Sequence, residues 1–391
     1  MRVPYWLPLL LGVLTAVGPV STDMYLPAFP AIEASFGGRP GAAQVTLATW
    51  FLGLALGQIT QGTLADRFGR RGPLIAGTAL YTLASLGCAM APDLFTLSLM
   101  RALAAFGGSA SMVIPRAVVR DLSDGHAAAR MLSKLMLVMG AAPILAPTLG
   151  GIVMDHFSWH AIFWITAAYG GLCCLMVWRA LPETLPENRR VRLGPAAQLA
   201  RYIGIIRERS FITHALIGGL SLFGLFAYLG GAPDVFLAQY HLTPAQFGVL
   251  FGGCAAGFIV ATQINPRLLP RFGAGRVMRC AVWALVAANV FLAIMAFSFT
   301  PHWYLMALPI WVGMASMGFL TPNATVGALS RHAAHAGSAS ALMGTLQFIL
   351  GAISGLLVGI AGDHTARPMA VLMLLGAGAA AVADLCRPKP K

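Results

Sequence analysis

The sequence predicts an all-α integral membrane protein, with twelve transmembrane helices in two six-helix pseudo-symmetric bundles and both termini cytoplasmic. Three observations carry that prediction. Of 391 residues, 58% are hydrophobic and only 10% charged, against about 25% charged in a soluble domain. Apolar runs of about 20 residues, the length that crosses a hydrocarbon core, recur along the chain. Basic residues gather in alternate connections, as cytoplasmic loops do.

The spans fall near 5–32, 43–62, 74–92, 94–115, 132–153 and 160–181, making residues 1–181 the first bundle. A first apolar run can imitate a signal peptide, but no small-x-small cleavage site precedes Asp23, so it is read as an uncleaved helix. Residues 182–210 form the one long connection, a cytoplasmic linker. Its AAQLARYIGIIRER stretch, residues 196–209, mixes Leu and Ile with Arg at helical spacing. That suits an amphipathic helix on the membrane surface, and a solvated connector nearly as well. Spans near 211–237, 245–264, 277–299, 303–327, 338–360 and 368–386 build the second bundle within residues 211–391.

A formal charge of +13 would suit a nucleic-acid binder, but those proteins concentrate Lys and Arg on one solvated face. Here, with the N-terminus inside, 23 of the 26 basic residues lie at or near the inner side, from Arg2 to Lys389 and Lys391. Only Arg39 and Arg367 fall outside, and Arg101 lies within the fourth span. The halves read as repeats: Arg67-Phe68-Gly69 over Arg271-Phe272-Gly273, an offset of 204 residues, also brings Gly53 onto Gly257 and Leu64 onto Leu268. Parallel repeats with a binding site between them are a common plan of secondary transporters.

Other chemistries find little support. The six cysteines sit in or beside apolar segments without disulfide or zinc spacing, and His332 and His335 have no acid beside them, so no metal is expected. No glycine-rich phosphate loop precedes any of the three lysines. The expectation is therefore no enzyme activity, no cofactor and no nucleic-acid partner, with energy from an ion gradient or from the substrate's own.

Among thirteen acids, Asp23 in STDMYLPAFP is the one clearly deep carboxylate, roughly 12–15 Å from the outer end of the first span at 1.5 Å per residue. A charge there costs about 3 kcal/mol on insertion scales and marks a functional site by default. Arg101 lies at similar depth, about 10 Å from the outer end of the fourth span. The two can pair across the bundle, leaving Asp23 under opposing influences from burial and a neighbouring cation, as suits a proton carrier; a purely structural ion pair is the alternative. Asp234, near the outer end of the seventh span, is a second candidate, as either substrate contact or interfacial carboxylate. Gly62 to Arg71, GTLADRFGRR, is a tight basic turn in which Asp66 stands among arginines, with Asp121 a natural partner. The fifth span carries Pro143, Pro147, Gly150 and Gly151, a place for a bend packed closely on a neighbour.

GTLADRFGRR resembles the cytoplasmic signature of the major facilitator superfamily. Arg101 followed by Gly107 is similar to its helix 4 motif, and APTLGG, residues 146–151, to its antiporter motif. Together with STDMYLPAFP, IPRAVVRD, WHAIFW, LPETL, FAYLGGAP, LTPAQFGVLFG, PNA at 322–324 and AGSASALMGTLQF, the pattern resembles the bicyclomycin/chloramphenicol-resistance (Bcr/CflA) branch of drug:proton antiporters.

The resemblance implies the major facilitator fold and proton-coupled multidrug efflux by alternating access across a bacterial inner membrane, with a proton as coupling ion, a small amphipathic drug-like substrate and membrane lipid as partners, and a monomer. Asp23 would be the protonation site and Arg101 its partner. A cytoplasmic gate of Gly62, Asp66, Arg67, Gly69, Arg70, Arg71 and Asp121 would close near Ser338. Met24, Tyr25, Tyr228, Asp234, Asn323 and Gln347 are candidate cavity walls, with ordinary helix packing as the competing reading. Ala104, Ala146 and Asp234 depart from the pattern, which usually has Gln, Gly and an apolar residue there. Asp234 would favour cationic or zwitterionic cargo. Export of a cell metabolite such as an amino acid is the alternative function, and a membrane receptor or scaffold a more distant one.

Overall fold

A backbone amide in hydrocarbon has no water to bond, and a helix satisfies it within one segment. The chain accordingly folds as helix throughout its apolar runs. The computed structural model describes residues 6–38, 40–122, 125–190, 194–298, 302–332, 335–361 and 365–388. Side chains 125–130, 132–134, 136, 137, 139, 140 and 195 lie outside that description. So do Arg2, Arg39, Asp124, Arg192, Asp363, Lys389 and Lys391, among the charges placed above.

The first group of helices is α1 Leu7–Ser35, α2 Ala42–Phe68, α3 Arg71–Ala89, α4 Leu94–Leu122, α5 Gly125–His156 and α6 Trp159–Ala180. After a short amphipathic helix, α7 Pro195–Arg207, come α8 Arg209–Gln239, α9 Pro244–Phe272, α10 Ala274–Ser298, α11 Trp303–Leu329, α12 Ala336–Ala361 and α13 Ala366–Leu385. Eleven are long and apolar enough to span a membrane, and α5, at 32 residues, is a twelfth long helix. We call the ends carrying the arginine-rich turns the inner ends.

Two expectations change in detail. The basic stretch from Gly62 is not a loop: α2 stays helical to Phe68, and the turn shrinks to Gly69 and Arg70. Nothing before Gly69 breaks a helix, whereas Gly69 takes φ 96°, a region open to glycine. The fifth span runs as one continuous helix through Pro143 and Pro147.

Across the two groups, α2 packs along α12 and α5 along α9. Small residues allow this closeness. A Cβ on Gly151 would lie 2.4 Å from the Pro244 carbonyl oxygen, and one on Gly248 would lie 2.6 Å from that of Pro147. At the outer end of the α2–α12 seam, a Cβ on Gly41 would meet the Gly359 carbonyl oxygen at 2.4 Å. The outer halves of both seams are therefore closed backbone against backbone.

Helix α7 does more than lie on a surface. Tyr202 and Ile205 are buried, Ile205 in a cluster with Phe211, Ala215, Ala328, Ala339 and Met343. Leu199, Ile203 and Ile206 remain exposed on another face. The linker helix thus grips the inner end of the second bundle and keeps an apolar side outward.

Candidate functional site

The regular helix of α1 stops at Asp23 and resumes at Phe29, with a 3₁₀ turn over Leu26–Ala28 between. Pro27 causes the break, since it has no N–H to give the Asp23 carbonyl. Asp23 is buried, with 7% of its surface exposed, and no hydrogen bond or ion pair reaches its carboxylate among the described residues.

The expected Asp23–Arg101 pair does not form. Arg101, 2% exposed, donates from Nη1 to the Ser21 carbonyl at 3.0 Å. Its guanidinium lies 4.1 Å from the Tyr25 ring centre, 4.8 Å from that of Trp50 and 5.8 Å from that of Phe163. Aromatic faces meet the charge that a carboxylate was expected to meet. Asp23 instead lies within electrostatic reach of Tyr228 on α8, in the other bundle.

The six candidate cavity residues do not line one open chamber. Met24, Tyr25, Tyr228, Asp234 and Asn323 are all buried. Tyr25 bonds the Thr46 hydroxyl, and Asn323 donates to Asn265 Oδ1 at 2.9 Å. Gln347 is half-buried beside Gly218. The closed outer seams explain this: with α5 on α9 and α2 on α12, the centre is filled by side chains. Tyr228 borders a pocket of about 10 Å³ inside the second bundle that also meets Asn289 and Met314.

Asp234 sits where α8 changes from α- to π-helix, over Asp234–Gln239. It is as buried as Asp23, at 9% exposed, and accepts a 3.0 Å hydrogen bond from Gln44 Nε2 on α2. Gln44 also donates to the Gly230 carbonyl. That pair ties the two bundles at the outer end, so in this arrangement Asp234 is a bridge between helices and does not line an open cavity.

At the inner end the expected cluster is formed. Arg70 Nη1 meets Asp66 at 2.6 Å and its Nε meets Asp121 at 2.8 Å. Glu183, after α6, completes it by accepting the backbone N–H groups of Arg70 at 2.8 Å and Arg71 at 3.2 Å. Partial burial opposes the charge on Glu183, but backbone N–H groups of Leu185, Arg70, Arg71 and Thr184 outweigh it and hold its carboxyl below the ordinary range. Arg71 also donates to the Trp178 carbonyl. Gly62 packs near Val113, and Arg67 lies over the neighbouring Phe68 ring. Ser338 makes no hydrogen bond to the cluster; it shares with Asp66 the wall of an open cavity of about 770 Å³. Gly150 and Gly151 serve as close-approach points, Gly150 against the Met24 carbonyl.

A family model described as Major Facilitator Superfamily matches residues 11–355. The chain belongs to the major facilitator superfamily. A Bacillus subtilis (strain 168) relative, "Uncharacterized MFS-type transporter YdgK", is 34% identical and the alignment covers 95% of this chain and 92% of that one. A Haemophilus influenzae "Bicyclomycin resistance protein homolog" is 29% identical over 93% of this chain and 92% of its own length. Among solved structures, a D-xylose-proton symporter superposes with TM-score 0.77 at 15% identity, covering 97% of this chain and 95% of that one. At that identity the likeness speaks to the fold.

As a superfamily transporter the chain holds parts that motif reading missed. Trp50 and Phe163 carry no spacing signal, yet they cage Arg101. Gln44 is one of three glutamines in the second span, with Gln58 and Gln61, and nothing in its spacing points to its bond to Asp234. Asp384 reads as a helix-end acid but is 1% exposed, held by Arg279 and Arg387.

Proposed function

We propose that this transporter is a proton-coupled exporter of small drug-like molecules in a bacterial inner membrane, with both termini cytoplasmic and Asp23 as the group whose protonation is coupled to cargo release. The observation that carries the reading is the carboxylate itself: buried, at a helix break, without a partner among the described residues, and near Tyr228 of the opposite bundle. An unpaired buried carboxylate gains or loses a proton more readily than one locked in an ion pair, because no partner holds one form. Arg101, among aromatic rings and bonded through Nη1 to the Ser21 carbonyl while its Nε and Nη2 find no acceptor among the described residues, acts as a fixed neighbouring charge and a brace for α1, in place of the exchanging partner first expected.

The seams support an alternating-access cycle. The outer halves of α2–α12 and α5–α9 are shut, the inner ends of α2 and α12 part around a cavity, and the Arg70 cluster is the inner latch that rearranges when the bundles rock. The bicyclomycin-resistance name of one relative supports a drug-like cargo. Purified protein in liposomes with an imposed pH gradient tests the coupling: wild type moves cargo uphill and Asp23→Asn does not. Uphill transport by Asp23→Asn would refute the assignment.

A further inference from the structure

Two cavities meet at the inner mouth. The larger, about 770 Å³, opens past Ile59, Leu64 and Leu199, and the smaller, about 270 Å³, leads inward beside Arg116 and Gln58. Both are lined by Arg120, Tyr202 and Ser338, so they form one path from an apolar entrance to a polar interior. Their size suits a drug-sized ligand, whose sites run to about 300–1,000 Å³.

The charges on this path are unbalanced. Arg67, Arg116, Arg120 and Arg201 line it, and none makes an ion pair or hydrogen bond among the described residues. Arg116 and Arg120 are one helical turn apart on α4 and so project side by side. The acid on the same wall is Asp66, and it is bound to Arg70 at 2.6 Å, which in turn holds Asp121. His335 and Tyr202 are the other titratable groups at the rim. Arg67, Arg116 and Arg120 are solvent-accessible, and with Arg201 they stand on the wall of a cavity roofed by the linker helix through Gln198 and Tyr202.

We propose that the inner mouth is a binding site for an amphipathic anion, a molecule with one carboxylate-like group and an apolar body, taken up as cargo. Arg116 and Arg120 hold the anionic group, and Ile59, Phe106, Leu64 and Leu199 receive the apolar part. Guanidinium forks suit an oxyanion because their N–H donors match its geometry. The inference rests on the reading of the chain as a small-molecule exporter, and it names anionic cargo where Asp234 alone had suggested cations.

The test is equilibrium binding of dansylaminoundecanoate and of its methyl ester to full-length protein in nanodiscs of zwitterionic lipid. The acid should bind at least about tenfold tighter than the ester, the fold-change of one charge-assisted hydrogen bond, and lose that preference at high salt. Arg116→Gln and Arg120→Gln should each weaken acid binding about tenfold and leave ester binding unchanged, while Arg120→Lys keeps most of the preference. If a variant does not fold, the wild-type acid-to-ester ratio and its salt dependence decide. Equal binding of acid and ester overturns the proposal. Phosphatidylglycerol retained by wild type and lost from the Arg116→Gln, Arg120→Gln double variant, with no acid preference, assigns the site to lipid and equally overturns it. Binding here needs no pH gradient, so acid binding without uphill transport would count against the antiport reading alone.

Discussion

The inner turns of the two bundles are built on one backbone and wired with opposite charge. Gly69 and Gly273, 204 residues apart, both take positive φ, 96° and 74°, and each ends the second helix of its bundle. In the first bundle Arg70 bridges Asp66 and Asp121, and Glu183 caps the turn by accepting its N–H groups. In the second, the residue at the position of Glu183 is Arg387, which donates to the Gly275 carbonyl at 3.0 Å and is held by Asp384. The turn geometry is thus independent of the polarity that clamps it. Polarity then decides which bundle's turn is a hub: in the first, one buried cation serves two acids from different helices, and in the second, one buried acid serves two cations.

Removing the hub of each cluster sharpens the contrast, and the first bundle should suffer more. Arg70→Ala leaves Asp121, whose side chain is 16% exposed, without its cation. Breaking a buried pair from one side costs about 3–5 kcal/mol. Unfolding of purified protein in detergent should show a loss of that order, and an unchanged midpoint would mean that Arg70 is no hub.

Asp384→Asn is the matching change in the second bundle. It strands Arg387, 11% exposed, but Arg279 is 58% exposed and can turn to water. A loss on the order of 2 kcal/mol is expected, the scale of one hydrogen bond to a charged group. A loss as large as that of Arg70→Ala would erase the distinction between the clusters.

Much of this was legible in residue types, and part was not. Span positions follow from apolar runs that only a helix can satisfy, and Asp66, Arg70 and Asp121 were visible because charges at helix ends find each other across a short turn. Depth in a span is also countable, which singled out Asp23 and Arg101. Partnership is not: an arginine at the right depth was matched to the one deep acid, whereas rings from three other positions on three helices had already met its charge. The same limit hid the free arginines of the inner mouth, since a basic residue reads alike whether paired or not.

The two turn glycines give a smaller effect. Both occupy a region that is essentially glycine-only, where a side chain costs about 1–3 kcal/mol. A Cβ on Gly69 would also lie 2.4 Å from Glu183 Oε2, whereas one on Gly273 meets nothing within 4 Å. Gly69→Ala should therefore lower the unfolding midpoint more than Gly273→Ala, with a difference of about 1 kcal/mol. Equal losses would show that Glu183 moves aside freely and does not clamp the turn.

The smallest effect is a pH dependence confined to one bundle. Glu183 has its folded-state carboxyl held below the ordinary Glu value of 4.5. A group depressed on folding contributes stability that is full above its unfolded value and is lost as pH falls through its folded value, because the unfolded chain binds the proton first. Wild type should thus exceed Glu183→Gln in unfolding midpoint by a constant amount at neutral pH, and the gap should close on acidification below about 4.5. Arg387 stays cationic throughout that range, so the second bundle's cap contributes no matching term. A gap that persists at low pH would mean that Glu183 acts through shape and neutral hydrogen bonds, and the two caps would then differ less in their electrostatics than their opposite charges imply.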